Sequence, residues 1–265
     1  MARKPIQREE PVRRGARRMS EIPPKVLRAI SRGEMEAVSL VEMLAADMRV
    51  LMRTIDPALA KSLEEELDPA KPFIARMQVA GHALAAAYPK RLSEFSAHRS
   101  NIVRGWAAYM VAKKAGEDVG KALKAIMPLA DDRHSGVREW AWIAVRPQVG
   151  ADVARALVLL EPWSKRSEPN LRRFASEVTR PRGVWCAHIG VLKQDPSPAL
   201  DLLTNLNADP SVYVQNSVGN WLNDASKTNG AWVRKVCDGW KRGAPDSAAT
   251  RRICTRALRT LNKEG

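Results

Sequence analysis

DDRHSGVREWAWIAVRP, residues 131–147, decides the fold, because its pattern returns twice further along the chain. It reappears as RSEPNLRRFASEVTRP at 166–181 and as NADPSVYVQNSVGNWLND at 207–224. Each copy opens on Asp, Ser or Pro, residues that begin helices by capping the first amides or by presetting φ. Each then places an apolar residue (Val137, Leu171, Val214), a polar pair, and a small or apolar residue four positions on (Ala141, Ala175, Val218). That spacing puts side chains on one face of an α-helix. The buried stripes are expected to run Val137, Trp140, Ala141, Ala144; then Leu171, Phe174, Ala175, Val178; then Val214, Val218, Trp221, Leu222. The copies lie 34 and then 43 residues apart, and PDSAATRRICTRAL at 245–258 reads as a weaker fourth.

The rest of the chain agrees. EAVSLVEMLAADMRVLM (36–52) and NIVRGWAAYMVAKKAG (101–116) carry helical stripes, the second ending at Gly116. Strand signals are nearly absent, with three Phe, three Tyr and no period-two runs of β-branched residues. The expected fold is all-α: a HEAT-like repeat α-solenoid of stacked antiparallel helix pairs with a concave basic face. Residues 21–265 read as one repeat domain, clearest over 130–235. Residues 1–20, with six arginines and one lysine and no apolar run, read as a disordered basic arm.

The net charge is +15 and the pI about 10.2, which points to a polyanion, either nucleic acid or an anionic membrane surface. No run of eighteen apolar residues is present, so no membrane span is expected, and the arm has no apolar face to lay on lipid. The sparse cysteines (Cys186, Cys237, Cys254) point to a reducing compartment, expected to be cytoplasmic. Cys186 and His188 have metal-ligand chemistry, but no second closely spaced pair completes a four-ligand site, so no metal is expected.

Against this basic background the repeat helices carry acids. Arg173, Glu177 and Arg180 share one face of the second copy, Glu139, Trp142 and Arg146 lie off the stripe of the first, and Ser217, Asn220 and Asp224 off that of the third, beside Gly219. The same spacings also describe a solvated helix with an Arg173–Glu177 ion pair, a wide apolar stripe around Trp142, and a helix ending in Asn and Asp. Carboxylates repel phosphate, so they suit a ligand with a local positive charge. An alkylated purine nucleotide is one: its base is cationic, and breaking its glycosidic bond puts positive charge on the sugar. Carboxylates stabilise that oxocarbenium ion, and an indole face attracts a cation.

REWAWIAVRP, LRRFASEVTRPRGVW and DPSVYVQNSVGNWLNDASK resemble the AlkC-type DNA alkylation repair glycosylases of the HEAT-like repeat glycosylase superfamily. The resemblance is clear over about residues 130–235. It implies a monofunctional glycosylase that removes cationic alkylpurines, chiefly 3-methyladenine, from duplex DNA with no metal or organic cofactor. It places the catalytic acids on Glu139, Glu177 and Asp224, the stacking indole on Trp185, and basic positions beside the lesion on Arg180 and Arg182. Arg173, Arg146, Asn220 and Lys227 are further candidate DNA contacts, and a monomer is the default. The competing reading is a non-catalytic HEAT-like scaffold that binds nucleic acid or an acidic protein.

Overall fold

A computed structural model describes residues 13–263. Among them are sixteen α-helices, three short 3₁₀ turns and no strand. The first helices are short: α1 (Pro24–Ser31), α2 (Leu40–Ala45), α3 (Met48–Ile55) and α4 (Pro57–Ser62). Six more follow: α5 (Phe73–Ala87), α6 (Leu92–Ser96), α7 (Asn101–Ala115), α8 (Val119–Ala130), α9 (Ser135–Ala151) and α10 (Val153–Leu160). The chain ends with α11 (Pro169–Val178), α12 (Gly190–Gln194), α13 (Leu200–Thr204), α14 (Val212–Ser226), α15 (Gly230–Gly243) and α16 (Ala248–Ala257).

Six helices, α5, α7, α9, α11, α14 and α16, pack in succession as one row. A second layer backs it: α8 lies on α7 and α9, α10 on α8, and α15 on α14 and α16. The three stripes read from the repeats are buried, and with Trp106, Phe174 and Trp221 they form one continuous core between the layers. Local chemistry starts the helices where the sequence pattern does. Asp118, Asp152 and Ser247 accept amide protons from the first turns of α8, α10 and α16. Gly116, at φ 60°, ends α7.

A repeated arginine locks the row. Arg104, Arg138 and Arg172 recur every 34 residues, each just after the first stripe residue of α7, α9 or α11. Each folds back on the turn before its own helix: Nη1 reaches the carbonyls of His98 (2.8 Å), Asp132 (2.7 Å) and Arg166 (2.8 Å). Gln215 repeats the move in α14, donating to Asp209 O at 2.8 Å. Arg104 and Arg172 also grip the acid that opens the next copy, Asp132 at 2.8 Å and Asp209 at 2.6 Å. These charge-assisted bonds satisfy turn carbonyls that the helices leave without partners, and they tie each repeat to its successor.

Two expectations change near the amino terminus. Residues 36–52 are not one stripe but two helices, because the Asp47 carboxylate caps Arg49 N and Val50 N and starts α3 afresh. Val38 precedes α2 and is exposed, while Glu42, inside α2, is buried against Arg13 and Ala16. Of the arm expected over 1–20, residues 1–12 lie outside the described residues. Residues 13–18 are held by Glu42, which takes both Arg13 guanidinium nitrogens and the Ala16 amide. No helix among the described residues is long and apolar enough to cross a membrane.

Candidate active site

The three acids fall on adjacent helices of one row and are joined by bases into a line. Glu139 (α9) meets Arg173 Nη2 at 2.6 Å through Oε1. Arg173 lies 3.5 Å from Glu177 Oε2 on its own helix, α11. Glu177 Oε1 accepts from Arg180 Nη1 at 2.7 Å. Arg180 turns its other edge to Asp224 (α14), with Nε and Nη2 at 2.8 and 2.7 Å from Oδ2. Lys227 closes the line 3.6 Å from Asp224 Oδ1. Three acids thus alternate with three cations across α9, α11 and α14.

The line is buried at its centre and open at its ends. The Glu177 and Asp224 side chains are only 4% and 6% exposed, against 35% for Glu139 and 43% for Lys227. Glu177 also accepts from the Ser217 hydroxyl at 2.6 Å. Desolvation pushes the Glu177 carboxyl up, but Arg173, Arg180 and Ser217 outweigh it and hold the group below the ordinary carboxylate value. Desolvation likewise opposes the charge on Arg173 and Arg180, and the facing acids more than restore it. By formal charge the three acids and three cations of the strip cancel.

Trp185 sits in the 181–189 loop, which touches α14 where Arg182 Nε donates to Asp224 O. It is half-exposed, and at φ 71° it is the non-glycine residue with positive φ among those described. Such a backbone is costly for a bulky side chain and persists only where the surroundings enforce it. Arg146 does the enforcing. It was expected to meet DNA, but it is buried in α9 and donates to Val178 O (2.8 Å), Ala187 O (3.0 Å) and Arg180 O. Each of its three side-chain nitrogens donates to a main-chain carbonyl, so it anchors the loop. A cavity of about 620 Å³ opens beside Trp185, lined by Tyr109, Ile143, Pro147 and residues 185–189, with no carboxylate in its wall.

Other expected DNA contacts are also engaged within the protein. Asn220 Oδ1 accepts from Arg256 Nε (2.8 Å) and Arg259 Nη1 (3.0 Å). Arg182 is half-buried and donates from Nε to Asp224 O at 3.2 Å. Trp142 is buried and donates its indole proton to Glu139 Oε2 at 2.8 Å, which orients that acid. Sequence reasoning missed Tyr213, whose ring centroid lies 4.4 Å from the Arg173 guanidinium and 5.1 Å from that of Arg138. No sequence signal marks it, since it opens α14 one residue before the stripe. Among the described residues no cluster of His, Cys, Asp and Glu is arranged to hold a metal ion.

A row of helices backed by a second layer is the arrangement of a HEAT-like repeat protein. The sequence profile of the DNA alkylation repair enzyme family matches residues 105–239, and the chain belongs to that family. It is 48% identical over 91 residues to the uncharacterized protein YhaZ of Bacillus subtilis strain 168, which covers 34% of this chain and 25% of YhaZ. Among solved structures it is similar to the alkylpurine DNA glycosylase AlkC of Pseudomonas fluorescens, bound to DNA containing an abasic site analog. That likeness has 26% identity and a TM-score of 0.67 over 89% of this chain and 65% of AlkC. AlkD2 from Streptococcus mutans shares the fold, with 21% identity and a TM-score of 0.58 over 77% of this chain and 97% of that one. The chain thus spans a quarter of YhaZ and somewhat under two thirds of AlkC.

Proposed function

We propose that this protein is a monofunctional DNA glycosylase that removes cationic alkylated purines, chiefly 3-methyladenine, from duplex DNA, acting as a monomer. The observation that carries the reading is the Glu139–Arg173–Glu177–Arg180–Asp224–Lys227 line. A surface made only to bind phosphate gains nothing from three acids at its centre. A surface that must meet a sugar cation between phosphates needs both signs within a few ångströms.

In this scheme a DNA phosphate competes for Arg180, and the acids it releases face the deoxyribose. The C1′–N bond breaks with its electron pair going to the base nitrogen, which neutralises the cationic base. Glu177 and Asp224 stabilise the positive sugar left behind, and one of them orients the water that adds at C1′ and takes its proton. Because the base is already cationic, its departure calls for no strong general acid. Trp185 offers an indole face to the lesioned nucleotide. The similarity to a DNA-bound alkylpurine glycosylase supports the choice of substrate.

The test is release of 3-methyladenine, and formation of abasic sites, from methylated duplex DNA. The wild type is expected to excise. Glu177→Gln and Asp224→Asn are each expected to cut the rate at least ~100-fold, the scale on which one charge-stabilising group acts, while DNA affinity stays equal or rises. If both variants excise at the wild-type rate, the site is elsewhere. If the wild type binds DNA and excises nothing, the non-catalytic scaffold is the correct description.

A further inference from the structure

The acid–base line cannot by itself give the protein much grip on DNA, because its charges cancel. Three cations without an acid partner among the described residues stand one helix further along the row. Arg252 and Arg256 in α16, and Arg259 in the turn after it, follow at spacings of four and three residues. α16 packs directly on α14. All three are at least partly exposed, and none enters an ion pair among the described residues. Neutral amides hold them instead: Arg252 Nη2 donates to Asn216 Oδ1 at 3.1 Å, and Arg256 and Arg259 share Asn220 Oδ1 at 2.8 and 3.0 Å.

This is a built arrangement. Gly219 has no side chain where a Cβ would come within 2.9 Å of Arg256 Cβ and Cδ, so the arginine stem lies flat against α14. One glycine and two asparagines of α14 are thus committed to placing three guanidiniums without neutralising them. Guanidiniums fixed in advance lose little freedom on binding, and their forked donors match phosphate oxygens. At 1.5 Å per helical residue they span about 10 Å. One strand of B-DNA passes about three phosphates over that length of axis.

We propose that Arg252, Arg256 and Arg259 form a phosphate track that grips one strand of the duplex beside the acid–base line and supplies affinity the neutral line lacks. The inference rests on the glycosylase reading for its choice of duplex DNA as ligand. Three such contacts contribute about 2.7 to the slope of log K against log salt.

The experiment measures binding of an undamaged 20-base-pair duplex by fluorescence anisotropy between roughly 50 and 200 mM salt, where counterion release dominates. Four full-length proteins are compared: the wild type, R252Q/R256Q/R259Q, R252K/R256K/R259K, and R234Q/K235Q/R242Q, which removes the same charge from exposed positions of α15 in the second layer. The glutamine triple on the track is expected to lose about 2–3 in slope and at least ~30-fold in affinity near 0.1 M salt. The lysine triple keeps the slope, which separates lost charge from lost folding, and the α15 triple binds within about 3-fold of wild type. Wild-type binding by the track glutamine triple, an equal loss in the α15 triple, or a wild type that does not bind duplex DNA overturns the track. Base release is scored separately on methylated DNA: binding as expected with no release defeats the glycosylase reading and leaves the track standing.

Discussion

Replacing Arg146 with methionine tests whether the Trp185 loop is held from beneath. The side chain keeps its length and loses its donors. Val178 O is buried, so leaving it without its 2.8 Å partner costs about 1–3 kcal/mol. The carbonyls of Arg180 and Ala187 lie in partly exposed residues and regain water, so each charged bond is worth about 1 kcal/mol here. Against these losses, the variant no longer desolvates a guanidinium, whose charge burial already disfavours. The net expectation is about 3 kcal/mol of destabilisation. At this chain length 1 kcal/mol moves Tm by about 2 °C, so Arg146→Met should melt roughly 6 °C below wild type. Circular dichroism melts give the shift, and trypsin gives its location. The Arg182–Gly183 bond should be cut faster in the folded variant, because both ends of the loop are released. A Tm within about 1 °C of wild type, with unchanged cutting at Arg182, would refute the anchor and return Arg146 to the list of possible phosphate contacts.

Other expectations follow from neighbouring groups. The depressed Glu177 carboxyl contributes stability that is complete above about pH 4.5 and is lost as pH falls through its lower folded value. Tm measured from about pH 6 to 3 should therefore fall less steeply in Glu177→Gln than in wild type, and parallel curves would contradict the sign. Ser217→Ala removes the 2.6 Å hydroxyl bond, so the acid limb of the excision profile should move to higher pH, with about 1 kcal/mol of stability lost. Gly219→Ala gains about 1 kcal/mol of helix propensity but drives its Cβ to 2.9 Å from the Arg256 stem, an overpacking cost of about 1–3 kcal/mol. Urea denaturation should show it less stable, and a higher midpoint would mean that α16 is not pressed against α14. Glu42→Ala should free residues 13–18 and speed trypsin cutting after Arg14 and Arg17 without changing base release.

The helices and their inward faces were legible because a 3.6-residue period is a local property, and burial of Leu171, Phe174 and Trp221 follows from it directly. Glu139, Glu177 and Asp224 stand two, six and ten residues after Val137, Leu171 and Val214, so the repeat interval does not align them, and the family resemblance is what nominated them. The pattern failed where a single polar contact overrides it. Asp47 broke one stripe into two helices, and Glu42 was drawn inward by Arg13. A sequence signal that was present and unused is the arginine after each stripe residue, Arg104, Arg138 and Arg172, whose turn contacts mark every repeat boundary.

The sequence alone determined that this chain is helical, repetitive and basic, and which apolar stripes the three repeat helices bury. Only the tertiary structure decided which arginines are free. Arg146, Arg173 and Arg180 look like phosphate ligands in sequence, yet one is consumed by carbonyls and two by acids contributed from other helices. Arg252, Arg256 and Arg259 look ordinary, yet no acid among the described residues pairs with them, because α14 meets them with amides and a glycine. The type of a side chain is written in the sequence, but whether its charge is cancelled depends on partners tens of residues away, and packing of the row brings those partners within 3 Å.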